Sequence, residues 1–340
     1  MATIRPSTSE EYLELCSRIT EAQALFIIAA APADGNLTHR ILMLYRARDL
    51  LGLCNMSGGS LDHNILTVMA VTYFRKTEYA EAKEIYTDVL QKTSAEQDPF
   101  NHAWCLNNLV EINSQTGQIE DSDREALGRA KAIFQMLHYP TGAIFSDIAM
   151  TDLQLNDGDV VGAYAKSTQC ISSSWDKGEW VVFPCLNRLA DGNCWPLEVT
   201  PSRHTWTWPI TYLAWAQKFN QIIVSHWALC FLGDYFLVEE DEETARNIFA
   251  AVLDGFTQMN IHKGRAHCML RLGDMLKRQG QRFMAEELWT VARTLFKRSM
   301  QEKNVAEIDA RFAEQEPLEQ ESLEQNEVGA PVARVPVLGS

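Results

Sequence analysis

The sequence predicts an all-α fold, a right-handed solenoid of about seven stacked helix pairs with a period of about 40 residues. Three observations support this. Two segments repeat each other at identical offsets, a close-contact position recurs at near-constant spacing, and no stretch shows the sustained alternation of a β-strand. Of the 340 residues, 46% are apolar, which is enough to build a sizeable core.

The clearest repeat extends from residue 226 to residue 296. Its first copy has Leu232, Gly233, Phe236, Ala245 and Phe249. Its second copy has Leu272, Gly273, Leu276, Ala285 and Trp289, in the same order and at the same offsets. We expect the two glycines to lie where paired helices approach too closely for a side chain, with large residues filling the space around them. This arrangement resembles the tetratricopeptide repeat, which implies a scaffold fold.

The same template fits weaker copies along the chain. The close-approach positions are Ala70, Val110, Thr151, Ala190, Gly233 and Gly273. Successive members of this series are separated by a nearly constant interval of about 40 residues. One further step back reaches Ala30, so we expect a seventh pair at the start of the chain. Near-constant register over six positions is the main support for the solenoid.

The order of elements follows from helix signals. Acidic residues after Ser9 begin a first helix, which Pro32 and Gly35 interrupt, and a second helix follows from Leu37 to Leu53. An insertion at 192–208 separates two helices of one pair. The last helix is expected to continue from Arg298 to about Phe312. The repeat domain then spans 1–316, and 317–340 is an acidic, proline-containing tail that we expect to be disordered.

Composition narrows the function classes. A net charge of −15 disfavours nucleic acid and anionic membranes as partners. The sequence shows no signal peptide and no apolar run long enough to span a bilayer. Eight scattered cysteines without a Cys-x-x-Cys pair indicate buried thiols in a cytoplasmic protein. We expect no cofactor and leave the oligomeric state open.

Four segments carry a second resemblance. They are residues 137–142, 170–175, 185–191 and 254–259. They are similar to degenerate tetratricopeptide regions of mushroom-type fungi, which often follow an NB-ARC or NACHT nucleotide-binding module. The resemblance implies a sensing or docking arm. This sequence has no Gly-x-x-x-x-Gly-Lys-Ser/Thr loop, which leaves a free-standing relative, an adaptor or a fragment as the alternatives.

The candidate binding site is a column of acids on the concave face. Five of them follow the close-approach positions in register: Glu111, Asp152, Asp191, Asp234 and Asp274. Asn107, Lys277 and Arg278 would share this wall, and the two cations could neutralise Asp274. The column would bind a basic or amine-bearing partner. The alternative is that this position carries an ordinary polar residue in a chain that is acidic throughout.

Three other groups have plainer explanations beside a functional one. The acids at 239–243 either bind a metal or favour the start of the next helix. His262, His267 and Cys268 lack the spacing of a zinc site. The tryptophans of the insertion, Trp195, Trp206 and Trp208, either form a binding lip or fill the gap that the insertion opens.

The leading functional expectation is a non-catalytic scaffold or adaptor that binds a protein or peptide segment on its concave face. One alternative is an all-helical enzyme with a groove for small molecules, of the size of a terpenoid cyclase, although the sequence has no Asp-Asp-x-x-Asp motif. The other is a structural or oligomerising partner of a nucleotide-binding signalling protein.

Overall fold

The computed structural model describes residues 8–31, 36–175, 182–191 and 206–313, and these residues form fifteen α-helices. In chain order the helices are α1 (Ser9–Ala30), α2 (Leu37–Leu53), α3 (Ser60–Arg75), α4 (Tyr79–Lys92), α5 (Pro99–Thr116), α6 (Ser122–Met136), α7 (Pro140–Asn156), α8 (Val160–Ser174), α9 (Val182–Asp191), α10 (Thr207–Lys218), α11 (Ile222–Val238), α12 (Glu242–Met259), α13 (His262–Arg278), α14 (Arg282–Arg298) and α15 (Glu302–Ala313).

Every helix packs against the next helix in the chain, and the helices form an inner and an outer layer. The odd-numbered helices form the inner layer, because α1, α3, α5 and α7 contact one another in succession, as do α9 and α11. The even-numbered helices cover them on the outside. The first fourteen helices therefore make seven pairs, and the predicted all-α solenoid is confirmed.

Most of the described turns between helices share one backbone feature. The residue two positions before the next helix has a positive φ, as at His138, Gly158, Asn260 and Gly280, whereas the turns before α5 and α6 lack it. Such a residue ends one helix and reverses the chain within a few residues. Asp98, a residue directly before its helix, accepts a hydrogen bond from an amide of the first turn and fixes where α5 begins. Short turns of one kind explain the steady period.

The predicted close approach at the glycines is confirmed. A Cβ atom on Gly233 would lie 2.7 Å from Cζ of Phe249, and one on Gly273 would lie 2.5 Å from Nε1 of Trp289. Both aromatic rings are fully buried. A side chain at either glycine would displace the largest residue of the facing helix, so the glycine and the aromatic residue form one packing unit.

Two expectations about helix register are corrected. Ala30 lies in α1 but is exposed, whereas Ala22 and Ala29 are buried against α2. A shift of one residue turns the side chain by about 100°, so a step of about 40 residues selects the wrong neighbour here. The last helix also does not run on from Arg298, because the positive φ of Met300 (54°) reverses the chain and starts α15.

Parts of the predicted architecture lie outside the described residues, namely the insertion up to residue 205 and the tail 317–340. In the described ranges, six of the seven cysteines are buried. No helix in these ranges is both long and apolar enough to cross a bilayer.

Candidate functional site

The inner layer carries a periodic series of Asp–Arg pairs, which we call the ladder. Each aspartate accepts hydrogen bonds from an arginine 36 or 37 residues later, on the next inner helix. The pairs are Asp152–Arg188, Asp234–Arg271 and Asp274–Arg311, at shortest N–O distances of 2.6, 2.6 and 2.8 Å. The predicted acidic column therefore lies on successive inner helices, but each of these three aspartates is paired with a cation from the same protein.

The first part of the ladder is buried. Arg188 donates to Oε1 of Glu111 at 3.2 Å as well as to Asp152, so that one guanidinium bridges α5, α7 and α9. Arg188 and Glu111 are 8% and 7% exposed. Burial raises the pKa of Glu111 above its usual 4.5, and the Arg188 charge partly opposes that shift. The pair is therefore sealed from solvent.

The second part of the ladder reaches solvent. Asp234 accepts from Nε of Arg271 at 2.6 Å and lies 3.0 Å from Nε2 of His267. Its side chain is 26% exposed and that of Arg271 is 35% exposed. Burial tends to raise the pKa of Asp234, but His267 and Arg271 outweigh it, and the net pKa lies below the usual 3.8.

Asp274 is paired differently from the prediction. It accepts two hydrogen bonds from Arg311 on α15, at 2.8 and 3.0 Å. Arg278 instead reaches Glu242 at 2.5 Å, and Nζ of Lys277 lies 5.6 Å from the ring centre of Trp289. Arg278 thus contacts the outer helix α12 and Lys277 the outer helix α14.

Two other members of the predicted wall have different outcomes. Asn107 lies one turn before Glu111 and is fully buried, and neither of its amide atoms has a hydrogen-bond partner among the described residues. A buried amide without hydrogen-bond partners lowers the stability of the fold. Packing alone therefore does not explain why this position carries a polar residue. Asp191 ends α9, and its side chain lies outside the described residues.

The remaining candidates are explained by local structure. In the acidic run, Asp241 accepts a hydrogen bond from the amide of Thr244 and caps α12. His262 and His267 pair with different acids. Within the described ranges, no group of three or more His, Cys, Asp or Glu residues is arranged to hold a metal ion. Trp208 packs against the core, Trp206 is 41% exposed, and Trp195 lies outside those ranges.

Reasoning from the sequence alone missed the cations of the ladder. Arg188, Arg271 and Arg311 each follow their acid by nearly one repeat. The offset is the signal that would have found them, because residues one repeat apart on neighbouring inner helices lie side by side. A search for cations at that spacing predicts the pairs without a structure.

No protein-family model matches the sequence, and no curated protein shows significant similarity to it. Among solved structures, a Rap protein complexed with competence and sporulation factor resembles this chain, with a TM-score of 0.55. The likeness covers 92% of this chain and 99% of the other at 12% sequence identity, so it concerns the fold. Together with the helix pairs and their glycine contacts, it defines a tetratricopeptide-like, all-helical repeat fold.

Proposed function

We propose that this protein is a non-catalytic scaffold that binds a protein or peptide segment along the inner face of α11, α13 and α15. The observation that carries the proposal is the ladder, which places polar groups at regular intervals on the inner layer of a solenoid. A stacked repeat offers an extended surface of this kind, and an extended chain can contact several repeats at once.

The exposed half of the ladder is the preferred contact surface. The side chains of Asp234 and Arg271 are a quarter to a third exposed, and those of Asp274 and Arg311 about a fifth, whereas Arg188 is sealed. An exposed pair presents both donors and acceptors to a ligand. It is also less costly to rearrange than a buried pair, since the freed charges regain water.

More specifically, we propose that the partner segment is basic. Asp234 and Asp274, the partly exposed acids of the column, would then receive it, and a contribution of Asn107, Lys277 and Arg278 stays a prediction. A lysine or arginine of the partner would exchange with Arg271 or Arg311 on the aspartates. The net charge of −15 favours the approach of such a partner at low salt. The Rap protein, which is complexed with competence and sporulation factor, supports a bound partner in this fold.

The test uses fluorescein-labelled decapeptides of lysine, glutamate, or mixed serine and asparagine, followed by fluorescence anisotropy. We expect the lysine peptide to bind most tightly and the double variant Arg271→Met, Arg311→Met to bind it about tenfold more tightly, because two aspartates lose their internal partners. Lys83→Met is the matched control, since Lys83 donates to Asn113 and Gln118 away from the ladder.

Equal binding of all three peptides, with no gain in the double variant, would remove the basic-partner proposal. In that case the aspartates serve only to hold the arginines. The variant Asp234→Asn separates the two outcomes further, since it weakens binding of the lysine peptide only if the carboxylate contacts the ligand.

A second candidate function is oligomerisation, and the first helix pair favours it. Exposed apolar side chains are concentrated on α1 and α2, including Leu13 (67%), Ile27 (67%), Ile28 (59%) and Leu42 (60%). Apolar surface of this kind often marks a protein interface. Sedimentation of the wild type and of Ile27→Lys, Leu42→Lys tests it, because a self-associating protein loses its larger species in the variant.

The wider setting is also a proposal. We propose a cytoplasmic protein related to the repeat regions that accompany fungal nucleotide-binding modules, with such a module as a candidate partner for the exposed pair α1 and α2. The four similar segments and the buried cysteines support this. Co-purification with a nucleotide-binding protein from the native cell, lost in the α1–α2 variant, tests it.

A further inference from the structure

The solenoid touches itself between segments that are 146 to 186 residues apart in sequence. The amide of Lys263 donates to Oγ1 of Thr77 at 3.1 Å, and Nε2 of Gln301 donates to the carbonyl oxygen of Gln115 at 2.6 Å, both 186 residues apart. Gln115 contacts both Lys263 and Gln301, which belong to successive repeats, so the chain has completed one superhelical turn and the second turn rests on the first. We call the contact between residues 75–78 and 115 on one side and 221, 261–263 and 299–301 on the other the seam.

The seam is mainly polar. Nζ of Lys263 donates to Oε1 of Gln115 at 2.9 Å, and a buried charge cluster joins the two turns where His262 lies 3.7 Å from Glu78, which Lys76 also contacts. Its apolar part includes Leu37, which joins the buried cluster of Ile223 and Ile261, and Met300, which packs against the cluster of the second repeat. Neighbouring repeats share larger clusters of buried apolar residues. The seam is therefore the contact that opens most readily, since burial of apolar surface provides most of the stability elsewhere.

Backbone strain coincides with the seam. Thr77 has a φ of +61°, at a turn position where other helix pairs have Gly158 and Gly280. A β-branched residue rarely adopts a positive φ, and such strain persists only where surrounding contacts hold it. The hydroxyl of Thr77 accepts the Lys263 amide hydrogen and donates to the carbonyl oxygen of Lys76. Thr77, a residue poorly suited to this backbone turn, is thus the one that makes the hydrogen bond between the two superhelical turns.

A closed seam leaves little room inside the first turn. The sequence offsets across the seam, 146 to 186 residues, correspond to about four repeats of about 40 residues. Inner helices spaced about 8–10 Å apart then lie on a circle with a radius of roughly 5–7 Å. The side chains of a helix extend about 5–6 Å from its axis, so they fill that circle. The burial of Asn107, Glu111 and Arg188 agrees with a filled interior.

We propose that the seam is a releasable closure: the two turns part at Thr77–Lys263 and Gln115–Gln301 and thereby open the inner face around Asn107, Glu111 and Arg188. Opening breaks side-chain hydrogen bonds and releases the strain at Thr77, while the apolar contacts between neighbouring repeats remain. Only the final step, in which an extended partner segment occupies the opened face, rests on the proposed function.

The test is hydrogen exchange of the full chain followed by mass spectrometry, without any ligand. Two variants weaken the seam while conserving shape: Thr77→Val, and the pair Lys263→Met, Gln301→Met. Each lost hydrogen bond is expected to speed exchange at 75–79, 115–118, 261–264 and 300–303 by roughly threefold to tenfold. Exchange in α12 and α14 should stay at the wild-type rate. Lys131→Met is the control, since its bonds to Asp147 join α6 and α7 and lie outside the four segments.

Unchanged exchange at those four segments in both variants would overturn the closure, and so would acceleration spread evenly over all helices. Small-angle scattering gives an independent reading: the seam variants should have a larger radius of gyration than the wild type with the same helical circular dichroism, and an equal radius counts against the proposal. Because no peptide is added, failure of the scaffold function leaves this result intact. If the seam variants open as expected but bind none of the decapeptides, the closure stands and the scaffold function fails.

Discussion

At the scale of single residues, Gly273 is a position where the fold leaves no room for a side chain. A Cβ atom there would lie 2.5 Å from Nε1 of Trp289 and 3.3 Å from the carbonyl oxygen of Ala285. The fully buried ring has no free space to move into. We expect Gly273→Ala to lower the free energy of unfolding by about 1–3 kcal/mol, measured by urea denaturation, because overpacking forces side chains and backbone apart.

Gly128 provides the matched control. It lies within α6, is exposed, and an added Cβ would meet no atom within 4 Å. Gly128→Ala should raise the free energy of unfolding by about 0.5–1 kcal/mol, since alanine loses less backbone entropy on folding. If the two variants shift stability in the same direction, helix propensity outweighs the close approach, and the packing argument for the repeat is wrong.

Arg188 is the buried cation that neutralises two carboxylates, those of Glu111 and Asp152. Arg188→Met would leave Glu111 and Asp152 facing each other without a cation, and we expect a loss of about 3–5 kcal/mol near neutral pH. Burial already raises the pKa of Glu111 above 4.5, and removal of the cation raises it further. A carboxyl group whose pKa is higher in the folded than in the unfolded protein destabilises the fold at pH values above its unfolded pKa. This loss of stability disappears as the pH falls through the raised pKa.

The measurement is the difference in unfolding free energy between this variant and the wild type at roughly pH 7 and roughly pH 5. The difference should be smaller at the lower pH. A double variant with Glu111→Gln added should recover part of the loss at neutral pH, because one uncompensated charge is gone. A difference that is constant with pH would show that Arg188 acts through packing.

At the scale of elements, the ladder joins α11 to α13 and α13 to α15. The net pKa of Asp234 lies below 3.8, because His267 and Arg271 outweigh the effect of burial. A carboxyl group whose pKa is lower in the folded than in the unfolded protein stabilises the fold. This stabilisation is fully present at pH values above the unfolded pKa and is lost as the pH falls through the folded pKa. We expect Asp234→Asn to cost about 1–2 kcal/mol near neutral pH, at the low end for charged hydrogen bonds because the pair is partly exposed.

The same variant should approach wild-type stability only below about pH 4, where the wild-type carboxylate becomes protonated. Urea denaturation across this range gives the comparison. Arg293→Met is a control of similar chemistry, since Arg293 lies on the outer helix α14 and its partner Asp309 is more exposed than Asp234. A pH-independent loss in Asp234→Asn would mean that the amide disrupts packing, with no contribution from the ion pair.

The elements were predictable to the extent that their causes are local in sequence. The glycine at 233 and its aromatic partner at 249 lie within one helix pair, and the next pair repeats that contact at the same offset. The arginines of the ladder lie nearly one repeat away, and only a search across repeats would have found them. The reversal of the chain at Met300 depends on a single backbone angle, which no residue pattern predicted.

At the scale of the whole molecule, the seam was beyond prediction from the sequence. Thr77 and Lys263 meet across 186 residues because small rotations between successive repeats accumulate into one complete turn. A small change in the rotation per repeat would move Lys263 past Thr77. Local patterns fix the repeat and its spacing, whereas the curvature comes from the detailed shapes of the contacts between successive repeats.

The end of the solenoid yields the last prediction. Helix α15 buries Val305 and Ile308, sets the ring of Phe312 against Trp289 at 5.9 Å and supplies Arg311 to Asp274. Terminal helices of repeat proteins cover apolar surface that the next repeat would otherwise bury. We therefore expect a chain that ends at 301 to lose roughly 3–6 kcal/mol, since the burial of Val305 and Ile308 is lost and the apolar surface that they cover becomes exposed.

We propose in addition that the repeat domain ends near residue 316. Removal of 317–340 should then leave the melting temperature unchanged, whereas removal of 302–340 should lower it and promote association through the exposed face of α14. Differential scanning calorimetry with light scattering measures both effects. A lower melting temperature in the chain that ends at 316 would show that the acidic tail packs on the solenoid and would move the domain boundary beyond 316. Equal stability of all three chains would instead show that α15 adds nothing, despite its buried side chains.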